Sequence, residues 1–207
     1  MGIIPKALKA LTLDLQRLPG IGPKSARRIA YYMFTLPQSR LEFLSQTIKD
    51  LQQSVTVCQF CRLLSDTNPC EICGDSARNP LQICVVEDNM DVFAIEKSGT
   101  YKGVYFVLGG ILSPAKGIGV DDIAIASLQK RVSDVLKLHN NGSVEIILAL
   151  SPSTEGQTTS LYIKELFTEN HKVSVTRFAI GISVGSDLDY VDSYTLQEAM
   201  RGRIKVE

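Results

Sequence analysis

Four of the five cysteines fall within sixteen residues as Cys58-x2-Cys61 and Cys70-x2-Cys73, with eight residues between the pairs. Each Cys-x2-Cys turn can present two thiolates to one ion, and so short a connection lets both turns meet at a tetrahedral zinc. Because all four ligands are cysteine, no coordination position is left for water, and the expected zinc is structural, one per chain. A segment of about twenty residues holds too few apolar side chains to fold alone, so metal binding must supply the difference. The other use of such spacing is a redox dithiol, which needs only one pair near a βαβ unit. Cys84 lies outside the pattern, in the apolar run Ile83-Cys84-Val85-Val86, and reads as a buried structural thiol.

A metal cluster in place of a disulfide framework fits a reducing compartment. The N-terminus lacks the apolar core of a signal peptide, and no apolar stretch approaches the roughly 20 residues needed to cross a bilayer. The expectation is a cytoplasmic chain with no membrane contact. Its 22 basic and 22 acidic residues cancel, but not evenly. Through Thr35 there are six cations (Lys6, Lys9, Arg17, Lys24, Arg27, Arg28) against one acid, Asp14, a local charge of +5. Such an end reads either as an anion-binding surface or as solvated charge on helix faces.

The same end carries Leu8, Leu11, Leu15 and Leu18 at helical spacing, broken by Pro19-Gly20-Ile21-Gly22-Pro23. A second helix is expected from Lys24, with Ala26, Ile29, Ala30 and Met33 inward, and a third with Leu41, Leu44, Ile48 and Leu51 should close the module. The glycines allow a sharp turn and close backbone approach, and Pro23 suits a first helical turn. Unpaired N–H groups and the helix dipole at such a start favour phosphate, and Lys24 and Arg28 add charge beside them. The stretch Leu18-Pro-Gly-Ile-Gly-Pro-Lys-Ser-Ala resembles the helix-hairpin-helix motif of DNA repair proteins. That resemblance makes Gly20, Ile21, Gly22, Lys24, Arg27 and Arg28 the DNA-binding set, with sequence-independent contacts; a plain αα-hairpin is the other reading.

From about Leu81, strand-like runs (Ile83 to Val86, Val104 to Leu108, Val144 to Leu150, Val173 to Thr176) alternate with helical segments, which implies a mostly parallel sheet. The clearest helix is expected to begin at Asp121-Asp122 and to bury Ile125, Leu128, Val132 and Val135. Parallel sheets place functional groups beyond strand carboxyl ends. There stand Glu87, Asp88 and Glu155, in an arrangement that resembles a Toprim domain, the Mg²⁺-binding fold of topoisomerases and primases. The later segment, Thr154-Glu-Gly-Gln157, lacks a second acid, so the oxygen set that would take Mg²⁺ is depleted and the three acids read as a partner surface, a weak Mg²⁺ site or simple strand-end solvation. Gly109-Gly110 and Gly117-Ile118-Gly119 do not match a phosphate-binding P-loop, and His139 and His171 read as surface residues.

Taken in order, Leu18 to Ala26, the four cysteines, Val85-Val-Glu-Asp, Leu108-Gly-Gly-Ile-Leu-Ser-Pro with Gly117-Ile-Gly, Thr154-Glu-Gly with Leu161-Tyr-Ile, and Gly181-x3-Gly185-x-Asp-Leu-Asp-Tyr resemble the RecR family of bacterial recombination mediators over essentially the full chain. The resemblance implies an α/β protein with a helical helix-hairpin-helix module at 1–53, a zinc element at 54–79, a Toprim domain at 80–180 and a C-terminal oligomerisation segment at 181–207. It also implies a nucleoid-associated clamp without enzymatic activity, assembled through dimers into a tetrameric ring around single- or double-stranded DNA. Such a clamp acts with RecO, and in some contexts RecF, to load RecA at single-stranded gaps covered by single-strand-binding protein. Gln157, Ser183, Ser186 and Lys116 stand where the family usually has glutamate, proline, glycine and an acid. Two other classes compete: a Mg²⁺-dependent nuclease or primase-like enzyme of Toprim type, and a free-standing zinc-dependent interaction module.

Overall fold

The structure, a computed structural model, describes residues 4–140 and 142–205. It divides into two compact units, Met1–Ser54 and Val55–Glu207.

In the first unit α1 (Lys6–Gln16) and α2 (Pro23–Thr35) form a hairpin, followed by α3 (Gln38–Ser54). Ala26 and Ala30, one turn apart on α2, are fully buried, and their small side chains let the two helices approach closely. Two details differ from the sequence expectation. Leu18 does not continue the α1 face: the helix ends at Gln16, the N–H of Leu18 bonds the Leu15 carbonyl, and its side chain is half exposed. Nor does α3 close the module. Leu41 and Leu44 are partly covered, but Ile48 and Leu51 are more than 60% exposed. α1 and α2 pack along much of their lengths and α3 makes no comparable contact with either, leaving an open apolar groove lined by Leu8, Leu11, Met33, Phe34, Leu41 and Leu44.

The second unit opens with a two-stranded antiparallel hairpin, β1 (Thr56–Val57) and β2 (Leu64–Ser65), and a single helical turn, α4 (Glu71–Gly74). Then β3 (Asn79–Val86), β4 (Gly103–Val107), β5 (Val144–Ala149) and β6 (Val173–Arg177) form a sheet in the order β4-β3-β5-β6, parallel throughout. Helices α5 (Asn89–Ser98), α6 (Ile125–Leu138) and α7 (Thr154–Phe167) connect the strands, and α8 (Ser193–Arg201) follows. Ile125, Leu128, Val132 and Val135 are buried as the spacing predicts, but the helix carrying them starts at Ile125. Asp121 and Asp122 sit before it in a separate 3-10 turn, where the Asp122 carboxylate accepts the Gly119 N–H at 2.7 Å.

Strand residues alternate between the faces of this sheet. Ile83, Val85 and Phe106 join Leu128, Val132, Ile163 and Phe167 in the larger core, whereas Cys84, Val86, Tyr105 and Val107 face Val92, Leu63 and three of the clustered cysteines. The cysteine element therefore belongs to the second face of the sheet. The Cys61 carbonyl accepts the Val107 N–H at 2.8 Å, and Arg131 of α6 lies 5.1 Å from the centre of the Phe60 ring. On leaving the element, the chain is anchored by Arg78, whose guanidinium grips both Glu96 carboxylate oxygens at 2.9 and 2.6 Å and bonds the Gly103 carbonyl. Tyr105 donates to the same carboxylate at 2.6 Å. Arg78 holds the Glu96 carboxyl below its ordinary value, so this partly buried pair stays ionised.

Candidate nucleic-acid interface and metal centre

Gly20 turns the α1–α2 connection with φ +77°, a left-handed conformation that favours glycine. Gly22 is extended and caps α2 without a side-chain hydrogen bond, and Pro23 occupies its first turn. A side-chain carbon added at Gly20 or Gly22 would meet nothing within 4 Å, so both backbones face open space. The Gly22 carbonyl accepts from Ala26, but among the described residues the N–H groups of Gly22, Lys24 and Ser25 have no backbone partner. The helix dipole adds positive potential at the same end.

Lys24, Arg27 and Arg28 are exposed on α2, and among the described residues none of them forms an ion pair. The single acid of this region, Asp14, is paired with Arg17 at 3.4 Å. Three uncompensated cations beside unpaired amides make a positively charged surface with the chemistry to hold an anion such as phosphate.

In the second unit the thiols of Cys58, Cys61, Cys70 and Cys73 lie within 4.8 Å of one another, the first three buried. Two backbone turns build this cluster. The Arg62 N–H bonds the Cys58 carbonyl with Arg62 at φ +65°, and the Gly74 N–H bonds the Cys70 carbonyl. The Cys61 and Cys70 sulfurs are 3.5 Å apart. Tetrahedral zinc–thiolate bonds of about 2.3 Å require sulfur spacings of about 3.8 Å, close to what the chain provides. Burial would raise the Cys58 thiol, but N–H groups of Cys70, Cys61 and Phe60 outweigh it and bring the thiol down to about 7. The Cys61 thiol is pushed up by its hydrogen bond to Cys73 and by burial, and Cys70 is pushed up to about 11, mainly by burial. One thiolate forms readily and its neighbours resist further negative charge. A divalent cation would relieve that conflict.

At the carboxyl end of the sheet, β3 delivers Glu87 and the loop after β5 delivers Glu155 into the first turn of α7, both half-buried. Asp88 is the N-cap of α5: its carboxylate accepts the N–H groups of Met90 and Asp91, while Asp91 accepts those of Glu87 and Asp88. Asp91 was not among the sequence candidates; the Asp-x-x-Asp spacing of a reciprocal cap was its signal. Glu87, Asp88 and Glu155 are not gathered as the thiols are. Among the described residues the cysteine cluster is the one set of three or more His, Cys, Asp or Glu side chains so converged. The segment around Glu155 is nevertheless tightly built. A side-chain carbon at Gly156 would stand 2.0 Å from the Ser151 carbonyl oxygen, and buried Thr159 accepts the Leu112 N–H at 3.0 Å while donating to the Glu155 carbonyl.

Residues 8–51 match the family described as RecR, helix-hairpin-helix, residues 82–179 a Toprim domain, and residues 181–204 the family described as RecR, C-terminal. Full-length relatives agree. The chain is 43% identical to the "Recombination protein RecR" of Trichormus variabilis over 193 residues, covering 93% of this chain and all of the relative. It is 43% identical to the protein of the same name from Pelotomaculum thermopropionicum over 204 residues, or 98% of each chain. The chain belongs to the RecR family. Its order of parts, a helical hairpin, a four-cysteine cluster, a Toprim sheet and a short C-terminal helix, is the one the sequence implied.

Within this RecR chain Glu87 gives a pH-dependent signature. Burial, then the charges of Asp91 and Asp88, push its carboxyl above the ordinary range, while Lys116 pulls the other way. A carboxyl raised in the folded state opposes folding once ionised, so its unfavourable contribution is absent below the ordinary carboxylate range and grows as pH rises through the raised value. Glu87→Gln is therefore expected to melt above the wild type at pH 7, with the gap closing on acidification. Thermal melts of both proteins across that range make the comparison, and identical melting at neutral pH would contradict it.

Proposed function

We propose that this RecR chain is a non-catalytic, zinc-stabilised clamp that binds single- and double-stranded DNA without reading sequence. It acts in recombinational repair with RecO, and with RecF in some contexts, to load RecA onto gaps covered by single-strand-binding protein. The observation that carries this reading is the start of α2, where unpaired amides and the unpaired cations Lys24, Arg27 and Arg28 face open space. In this scheme residues 1–53 hold DNA, 54–79 bind structural zinc through Cys58, Cys61, Cys70 and Cys73, and 80–180 present Glu87, Asp88 and Glu155 to a partner protein. Residues 181–207 join copies into dimers and a tetrameric ring. The dispersed acids, and Gln157 in place of a further carboxylate, favour partner recognition over Mg²⁺ chemistry. Among the described residues no helix is long and apolar enough to cross a membrane. A nucleoid-associated cytoplasmic location follows from the role in DNA repair.

The test is RecA filament formation on gapped DNA coated with single-strand-binding protein. Adding this protein with RecO is expected to accelerate it, and Glu87→Ala with Glu155→Ala to abolish the acceleration without loss of DNA binding. Mg²⁺-dependent cleavage or synthesis by the purified protein, lost in Glu87→Ala, would instead establish the enzyme reading.

A further inference from the structure

One turn beyond its cations, α2 exposes two large aromatic side chains. Tyr31 is 46% and Tyr32 64% exposed, and among the described residues neither phenol makes a hydrogen bond. Lys24, Arg28 and Tyr32 follow one another at four-residue intervals, as do Arg27 and Tyr31, so each aromatic ring stands on the same strip of helix as a cation, about 6 Å further along the axis. Ser25, Arg28, Ile29, Tyr31 and Tyr32 line a shallow open depression there. No acid lies on α2; Asp14 before it is paired with Arg17, and Glu42 after it accepts a hydrogen bond from Gln38.

A helical strip that is cationic at one end, aromatic at the other and free of carboxylates matches the chemistry of one nucleic-acid strand: phosphate on the cations, a base face on the ring. In a duplex the base faces are stacked on one another and shielded, so only the phosphates reach this surface. We infer that Tyr32 is a stacking platform for an unpaired base of the strand whose phosphate is held by Lys24 and Arg28, and that it gives the protein a preference for single-stranded DNA. This rests on the DNA-binding reading above and adds to it a residue, a contact type and a strand preference.

The test uses the full chain in fluorescence anisotropy with an oligo-dT strand, an abasic strand of the same length and a duplex. Tyr32→Ala is expected to weaken oligo-dT binding about tenfold, the equivalent of about 1.4 kcal/mol of stacking. Duplex affinity and the salt dependence should stay unchanged, because stacking releases no counterions. Tyr32→Phe should bind like the wild type, and the wild type should bind the abasic strand as weakly as Tyr32→Ala binds oligo-dT. Since the chain contains no tryptophan, Tyr32→Trp introduces a lone indole whose emission should quench on adding oligo-dT but not duplex. Equal losses on single strand and duplex, or no loss on either, would overturn this inference while leaving the DNA-binding reading intact. So would a change in the mass of Tyr32→Ala by light scattering, which would make the ring a contact between copies. Failure of the wild type to bind any DNA would overturn both.

Discussion

Cys58→Ser is expected to lower the melting temperature of the second unit by more than about 10 °C. Structural zinc contributes on the order of 10 kcal/mol to the folding of small domains, comparable with the whole stability of a typical protein. Loss of one thiolate opens the closed shell and leaves the others crowded together without a cation. The damage cannot remain local, because Cys58, Cys61 and Cys70 share one packed cluster with Cys84, Val86, Tyr105 and Val107 of the sheet. Chelating the metal from the wild type should produce a similar loss. Elemental analysis should find one zinc per chain in reduced, freshly purified protein, and calorimetry should give the melting temperatures. A metal-free protein that melts with the wild type would rule zinc out as a structural element.

Lys24→Ala combined with Arg28→Ala is expected to abolish measurable DNA binding while leaving the protein folded and assembled. Both side chains are exposed and unpaired, so their loss removes long-range attraction without disturbing the buried Ala26 and Ala30 that hold α2 on α1. Each lost phosphate contact should reduce the slope of log affinity against log salt by about 0.9 on duplex and about 0.7 on single strands. The effect should be the same for unrelated sequences, because phosphate contacts position the protein without specifying a site. Where several subunits share one DNA, the modest loss at each site compounds through effective concentration. Anisotropy over a salt series, with circular dichroism and light scattering as controls, measures these effects. Unchanged affinity and slope in the intact double variant would place the DNA surface elsewhere.

The parts of the fold that were legible in the sequence are those governed by local spacing. The continuous apolar run Ile83 to Val86 reads as a buried strand and the helical period of Ile125, Leu128, Val132 and Val135 as a buried helix face, and both are buried as expected. The cysteine spacing likewise carried enough geometry to predict the convergence of four thiols. What the sequence obscured depends on competing or distant partners. Asp121 and Asp122 look like a helix start, but a 3-10 turn uses them first and α6 begins three residues later. Ile48 and Leu51 have the spacing of a packed face, yet no spacing can say whether anything lies opposite, and here the groove stays open. Asp88 reads from sequence as a strand-end acid, and only its hydrogen bonds with the Met90 and Asp91 amides reveal that it caps a helix. The Arg78–Glu96 clasp joins residues eighteen positions apart through tertiary packing, which no periodicity encodes.

The sheet ends at β6, which pairs with β5 on one side and, among the described residues, with no strand on the other. An uncapped strand edge is a template on which another chain can add itself, and from there fibrous aggregation can grow. Here that risk is met by composition and by a latch. Ser174, Thr176 and Arg177 are polar and exposed, Thr176 is tied back to Glu145 at 3.0 Å, and Arg177 is clamped by Glu198 of α8. Glu198 also binds Arg201 of its own helix, and its side chain is only 9% exposed, so the strand end is held by a carboxylate already fixed in place. One border of the sheet is thus blunted by a single largely buried glutamate, which spends its charge on keeping a strand from acquiring a neighbour.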